Sequence, residues 1–207
     1  MLPSSDGAAE WFVATAKAAI DAGERLDAAA LSLFIALSHA SDVDAAIAQL
    51  DDAQPAGSLV ALARHAADLL EFNGRPPDAG AVRAAVTALE EEVLRCYTPG
   101  RGLGRFEDDA AVASAMLRAF DVGHDPAHLM MAEELALTAL GRYDPAAGAT
   151  ALAAASEIAV VLWHLAELAE KPEYRERARQ TLAALASTYQ QHGWRAAPYV
   201  SALHAIR

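Results

Sequence analysis

The sequence predicts an all-α protein of about ten helices arranged as antiparallel hairpin repeats. Three observations lead there. Apolar residues recur at helical spacing through most of the chain, and no stretch alternates convincingly with the period of a strand. About a quarter of the 207 residues are alanine, the strongest helix former and one that lets helices approach closely. Most candidate helices are joined by about 2–8 residues, the connection length of antiparallel neighbours.

The elements follow in order. Asp6 is placed to cap a first helix carrying Trp11, Phe12, Val13, Ala16 and Ile20, stopped near Gly23. Asp27 can cap a second, "AAALSLFIALSHA", and Ser41 a third, "DVDAAIAQL", ending before Pro55. A fourth runs from Ser58 to Phe72 and is closed by "NGRPP". Asp78 opens a fifth, "AGAVRAAVTALEEEVLRCY", which ends at "TPGRG". Asp108 or Asp109 starts a sixth that stops near Gly123. Asp125 followed by Pro126 is a cap before a first-turn proline, and that seventh helix ends at Gly141. An eighth covers Thr150 to Ala169, a ninth Pro172 to Gln191 and a tenth Pro198 to Ile206. No linker or low-complexity segment divides the chain, which reads as a single all-helical domain over residues 1–207.

Composition narrows the function classes. A net charge of -12 disfavours nucleic acid and anionic membrane surfaces, because both are recognised through a basic face. The most apolar stretch, Ala151–Ala169, is interrupted by Ser156, Glu157, His164 and Glu167, so it reads as a buried helix rather than a span. The N-terminus has neither a basic segment nor an apolar segment of the secretory kind. With one cysteine, Cys96, the chain can form no internal disulfide and no cysteine zinc cluster. A soluble, cytoplasmic protein is expected.

Two segments echo one another. "MLRAFDVGHDPAHLMMAEELALTAL" and "LWHLAELAEKPEYRERARQTLAALA" align with Pro126 and Pro172 in register. Each unit is an apolar helix, a tight turn with proline, then an amphipathic helix. A period of about 46 residues implies a solenoid or a closed toroid. On "EDDA", "DPAHLMMAEELA" and "KPEYRERA", the region from Phe106 to Arg207 resembles consecutive hairpins of (α/α) toroid proteins. It is similar to the helical part of thioredoxin-domain-containing proteins of the YyaL/spermatogenesis-associated type, near the six-hairpin glycosidases and N-acylglucosamine 2-epimerases. The resemblance implies an incomplete or small (α/α) toroid, since a full ring needs about twelve helices. That family's thioredoxin-like domain and its cysteine motif are absent.

Candidate chemistry gathers near "YTPGRGLGRFEDDA". Gly100, Gly102 and Gly104 alternate with Arg101 and Arg105, which could hold an anion. A dinucleotide fingerprint would follow a strand, however, and this loop follows a helix, so a helix stop and mobile connection is the plainer reading. Glu107, Asp108 and Asp109 could supply carboxylates for glycosidic cleavage, with Asp144 beside Tyr143 as the plausible second acid, although acids at a helix start are favoured there anyway. "HDPAH" imitates the paired histidines of a zinc helix. Pro126 leaves His124 outside the helix that carries His128, so no metal site is expected. Paired histidines transfer protons in the related epimerases, which singles out His164 beside Trp163. The plainer reading of His65, His164 and His204 is of partly buried, hydrogen-bonded side chains. Tyr97, Phe106, Tyr143, Trp163, Trp194 and Tyr199 fall near helix ends, as core edges or as the walls of a sugar pocket. Cys96 reads as a buried, inert thiol, and Glu90–Glu92 as a solvated helix face.

Two functional expectations result. The first is a non-catalytic binding or scaffold module without a cofactor, homodimeric because an open helical stack must cover its ends, with a protein partner possible. The second is a carbohydrate-binding or carbohydrate-processing protein whose site at the toroid mouth would use Arg105, Asp108, Asp109, Tyr143 and Trp163. In either case the glycine loop and "GRYDPAAGAT" are where a mouth would lie.

Overall fold

Helices account for most of the described chain. The structure, a computed structural model, describes residues 2–38, 58–70, 79–143 and 148–206. Among these residues lie α1 (Ser5–Asp21), α2 (Ala28–Ser38), α3 (Leu59–Leu70), α4 (Ala79–Cys96), α5 (Phe106–Gly123), α6 (Pro126–Leu140), α7 (Ala149–Leu168), α8 (Glu173–Leu185) and α9 (Ala197–Ala205). A 3₁₀ segment, Tyr189–Ala196, precedes α9. The described residues form no strand, only an isolated bridge between Thr98 and Gly102. The fold is therefore all-α. The helix expected over "DVDAAIAQL", the "NGRPP" breaker and the caps Ser41 and Asp78 lie outside the described residues.

Several caps are where the residue types put them. The side chains of Asp27, Ser58 and Asp125 accept hydrogen bonds from the backbone N–H groups of Ala30, Ala61 and Ala127 at 2.8, 3.1 and 2.9 Å. Two other starts differ from expectation. Ser4 rather than Asp6 caps α1, its Oγ accepting from Gly7 N–H at 3.2 Å, while Asp6 sits in the first turn where the helix dipole favours an acid. Arg105, extended at φ -121°, is the N-cap of α5, so Asp108 and Asp109 lie inside the helix instead of before it. The ninth expected helix is also shorter: α8 ends at Leu185, and the following 3₁₀ segment is kinked at Gly193 (φ 58°, ψ -139°).

The described helices belong to two compact units. The first holds α1, α2, the residues of α7 up to Val160, and the chain from Arg175 onward. Here α1 packs against α2, α9 and the 3₁₀ segment. Trp11 meets Tyr189 edge-on with ring centroids 5.0 Å apart, and Tyr189 stacks on the fully buried Tyr199 at 4.7 Å. Trp194 is buried, donates from its indole N–H to Glu24 at 3.0 Å, and is covered by the Arg195 guanidinium.

The second unit holds α3 to α6 and residues Val161–Tyr174. Its central helix is α5, which packs on α3 and α6 and is buried almost all round: Asp108 to Ala113, Ala115 to Leu117, and Ala119. Alanine makes this possible, because its small side chain brings neighbouring backbones close. Side chains tie α4 to α6, and α6 to the first turn of α8. His128, in the first turn of α6, is 2.6 Å from Glu90 of α4 through its Nε2. Tyr174, in the first turn of α8, donates to Glu133 of α6, which also pairs with Lys171. His128 and Tyr174 are the residues that align when Pro126 and Pro172 are set in register, and His124 and Glu170, each two residues before its proline, share a left-handed φ of 54°. Of the three glutamates expected on a solvated face, Glu90 thus holds His128 and Glu92 holds Arg95; Glu91 is exposed.

Helix α7 is long and apolar enough to cross a membrane by length and composition alone. Most of it is buried in the protein, including Ile158, Leu162 and Leu165, and buried Ser156 donates to the carbonyl of Leu152 at 2.7 Å.

Candidate functional site

The site grows from the stop after α4. Thr98–Pro99–Gly100–Arg101 is closed by a hydrogen bond from Arg101 N–H to the Thr98 carbonyl at 2.9 Å. Proline sits second and Gly100 third with φ 71°, the type II arrangement, whose third position requires positive φ. Thr98 N–H donates to the Gly102 carbonyl at 2.9 Å, which folds the loop back on itself.

Asp109 is the reason for that fold. Its carboxylate is fully buried, and Oδ1 accepts from Leu103 N–H at 2.7 Å. A Cβ on Gly102 would lie 2.4 Å from the same oxygen, so only glycine lets the loop wrap so closely. Oδ2 is ion-paired with Arg142, which follows the C-cap of α6 and donates its own N–H to the Ala139 carbonyl at 2.9 Å. Beside this pair, Phe106 at the start of α5 meets Tyr143 with ring centroids 5.6 Å apart. The loop after α4, the first turn of α5 and the turn after α6 are therefore joined at one buried acid.

An open cavity of about 570 Å³ lies against the junction. It is lined by Gly100, Arg101, Gly104, Leu137, Thr138, Gly141 and Arg142. Among the described residues its polar members are Arg101, Arg142 and Thr138.

The candidate residues fall unevenly around this geometry. Asp109 is at the junction, but both of its oxygens are engaged. Asp108 is buried too; desolvation raises its carboxyl above the ordinary value, Glu107 adds to the rise, and the Arg105 charge opposes it. Arg105 is exposed and pairs with Glu107 at 3.8 Å. Tyr143 is half-buried against Phe106. Trp163 is half-buried on α7, and its neighbour His164 is exposed, not partly buried. His65 is exposed as well, and His204 is half-buried. Asp144, the proposed second acid, lies outside the described residues. None of Arg105, Asp108, Asp109, Tyr143, Trp163 and His164 lines the cavity. Trp194 and Tyr199, candidates for a sugar-stacking wall, are buried in the first unit.

The remaining motifs have local partners. The His124 ring lies edge-on to Phe120 with centroids 5.9 Å apart, while His128 turns to Glu90. Among the described residues no three His, Cys, Asp or Glu side chains gather as metal ligands. Cys96 is half-buried, not fully buried, with its Sγ 3.6 Å from Glu92. Sequence reasoning passed over Arg142, Thr138 and the amide of Leu103. One signal pointed at Arg142: an acid buried in a first helical turn needs a cation, and Arg142 stands in the very loop expected at a mouth. No protein-family model, curated protein or solved structure matches this chain.

Proposed function

We propose that the chain is a non-catalytic helical-hairpin binding module, an incomplete or small (α/α) toroid that works as a cytoplasmic homodimer. The observation that carries this reading is the fate of Asp109. A carboxylate held by an amide on one oxygen and a guanidinium on the other is a structural clasp, poorly suited to exchanging protons with a substrate. Among the described residues, the cavity beside it is lined by arginines and a threonine and by no carboxylate. The ties from α6 to Glu90 of α4 and from Tyr174 to Glu133 of α6 support the hairpin-repeat part of the reading. The carbohydrate alternative has less support, since its five residues do not line the cavity.

Homodimerisation draws support from large apolar side chains left in solvent. Leu94 on α4 is 77% exposed and Met130 on α6 is 65% exposed, both in the second unit. Size-exclusion chromatography with light scattering tests this. The expected species at micromolar concentration is a dimer that the pair Leu94→Glu and Met130→Glu converts to monomer. A strict monomer for the parent chain would remove the homodimer from the reading.

A further inference from the structure

We propose that the cavity between the glycine loop after α4 and the turn after α6 binds a small organic oxyanion, a carboxylate or a phosphate. This deepens the binding reading above and rests on it in taking the cavity for a ligand site. Among the described residues the cavity wall holds two arginines and no acid. Asp109 neutralises Arg142 from behind, yet it is fully buried and absent from the lining. Arg101 is exposed and has no ion pair among the described residues, so it leaves the cavity with an uncompensated positive charge. In a chain of net charge -12, such a local reversal concentrates anions where the rest of the surface repels them.

The donors are also prepared. The Asp109 pair fixes the Arg142 guanidinium. A guanidinium presents its N–H groups as a planar fork that fits carboxylate and phosphate oxygens alike, and fixing it beforehand lowers the entropy lost on binding. Thr138 adds a hydroxyl, and Leu137 an apolar wall for the body of the ligand. At about 570 Å³ the space suits a small metabolite.

Heteronuclear NMR titration of the whole chain, at constant ionic strength, tests the proposal with sodium phosphate, sodium succinate and a sodium chloride control. Saturable shifts are expected at the amides of Gly100, Gly104 and Thr138 and at the side-chain Nε–H of Arg101 and Arg142. Arg101→Gln should weaken the response about tenfold, with Arg101→Lys in between. Saturation by phosphate alone assigns a phosphate-bearing ligand, by succinate alone a carboxylate, and by both a shared oxyanion site. If neither anion saturates, or if Arg101→Gln binds as the parent does, the proposal falls. Light scattering on Arg101→Gln is expected to match the parent, so failure here leaves the homodimer reading standing.

Discussion

Arg142 closes over Asp109, so the turn after α6 and the first turn of α5 share one ion pair whose acid is fully buried and whose base reaches solvent. The two partners are therefore not equivalent. Removing Arg142 strands a carboxylate with no access to water, while removing Asp109 frees a guanidinium that is 31% exposed. Arg142→Met is expected to cost about 3–5 kcal/mol, and Asp109→Ala about 2 kcal/mol, chiefly through the lost acceptor for Leu103 N–H. The double variant should be more stable than Arg142→Met alone. Urea denaturation of all four proteins completes the cycle, and equal losses for the two single variants would contradict the arrangement.

Gly102 meets the same carboxylate from the loop. Gly102→Ala adds a methyl 2.4 Å from Oδ1 at a left-handed φ of 59°, so strain and collision combine. A loss above about 2 kcal/mol is expected. Gly100→Ala, with a similar φ but open space around it, should cost only about 1 kcal/mol. Thermal melts that rank the two the other way would show that the loop does not press on Asp109.

The clasp of Glu133 with Lys171 and Tyr174 makes stability pH-dependent. Burial alone would raise the Glu133 carboxyl, but the hydrogen bonds from Lys171 and Tyr174, with the Lys171 charge, hold it below its ordinary 4.5. A lowered carboxyl contributes stability above its unfolded value and loses it as pH falls through the folded one. Glu133→Gln should therefore lower Tm by roughly 2–4 °C at pH 7, a figure reduced for solvent screening, and the gap should close as the pH falls through the lowered folded value, below the ordinary 4.5. A gap that persists unchanged at pH 3 would place the effect elsewhere than in the charge.

Tyr199 is fully buried, and its hydroxyl has no hydrogen-bond partner among the described residues. Burial raises its ionisation well above the ordinary 10.0, with a further push from Tyr189. Because the unfolded chain then ionises first, stability is expected to decline as the pH rises above about 10. Tyr199→Phe is expected to stabilise the protein by about 1 kcal/mol, removing a hydroxyl that folding desolvates without compensation. The urea midpoint measures it, and a clear loss of stability would reveal a partner for the hydroxyl.

Local signals were legible where one residue type answers one local need. Asp27, Ser58 and Asp125 cap helices because each stands directly before a helical run with a side-chain oxygen of the right reach. The start of α1 was misread because Ser4 and Asp6 are both good caps. Only the extended backbone at Ser4 decides between them. The acids after Phe106 looked like caps for the same reason, until Arg105 took that place and turned Asp109 inward. The 3₁₀ segment carries enough helical periodicity to pass for more of α8.

Periodicity, alanine content and breaker residues determined from the sequence alone that this chain is helical, roughly where its helices lie, and where two of its loops deserve attention. Those properties are local, set within a few residues by backbone preference and side-chain spacing. The tertiary structure alone decided that Asp109 is a clasp, that Arg142 is its partner, and that the arginines of two loops face one cavity. Each depends on segments far apart in the chain meeting in a low-dielectric interior, where an acid must find a cation or pay for its burial, and no local pattern records which cation that will be.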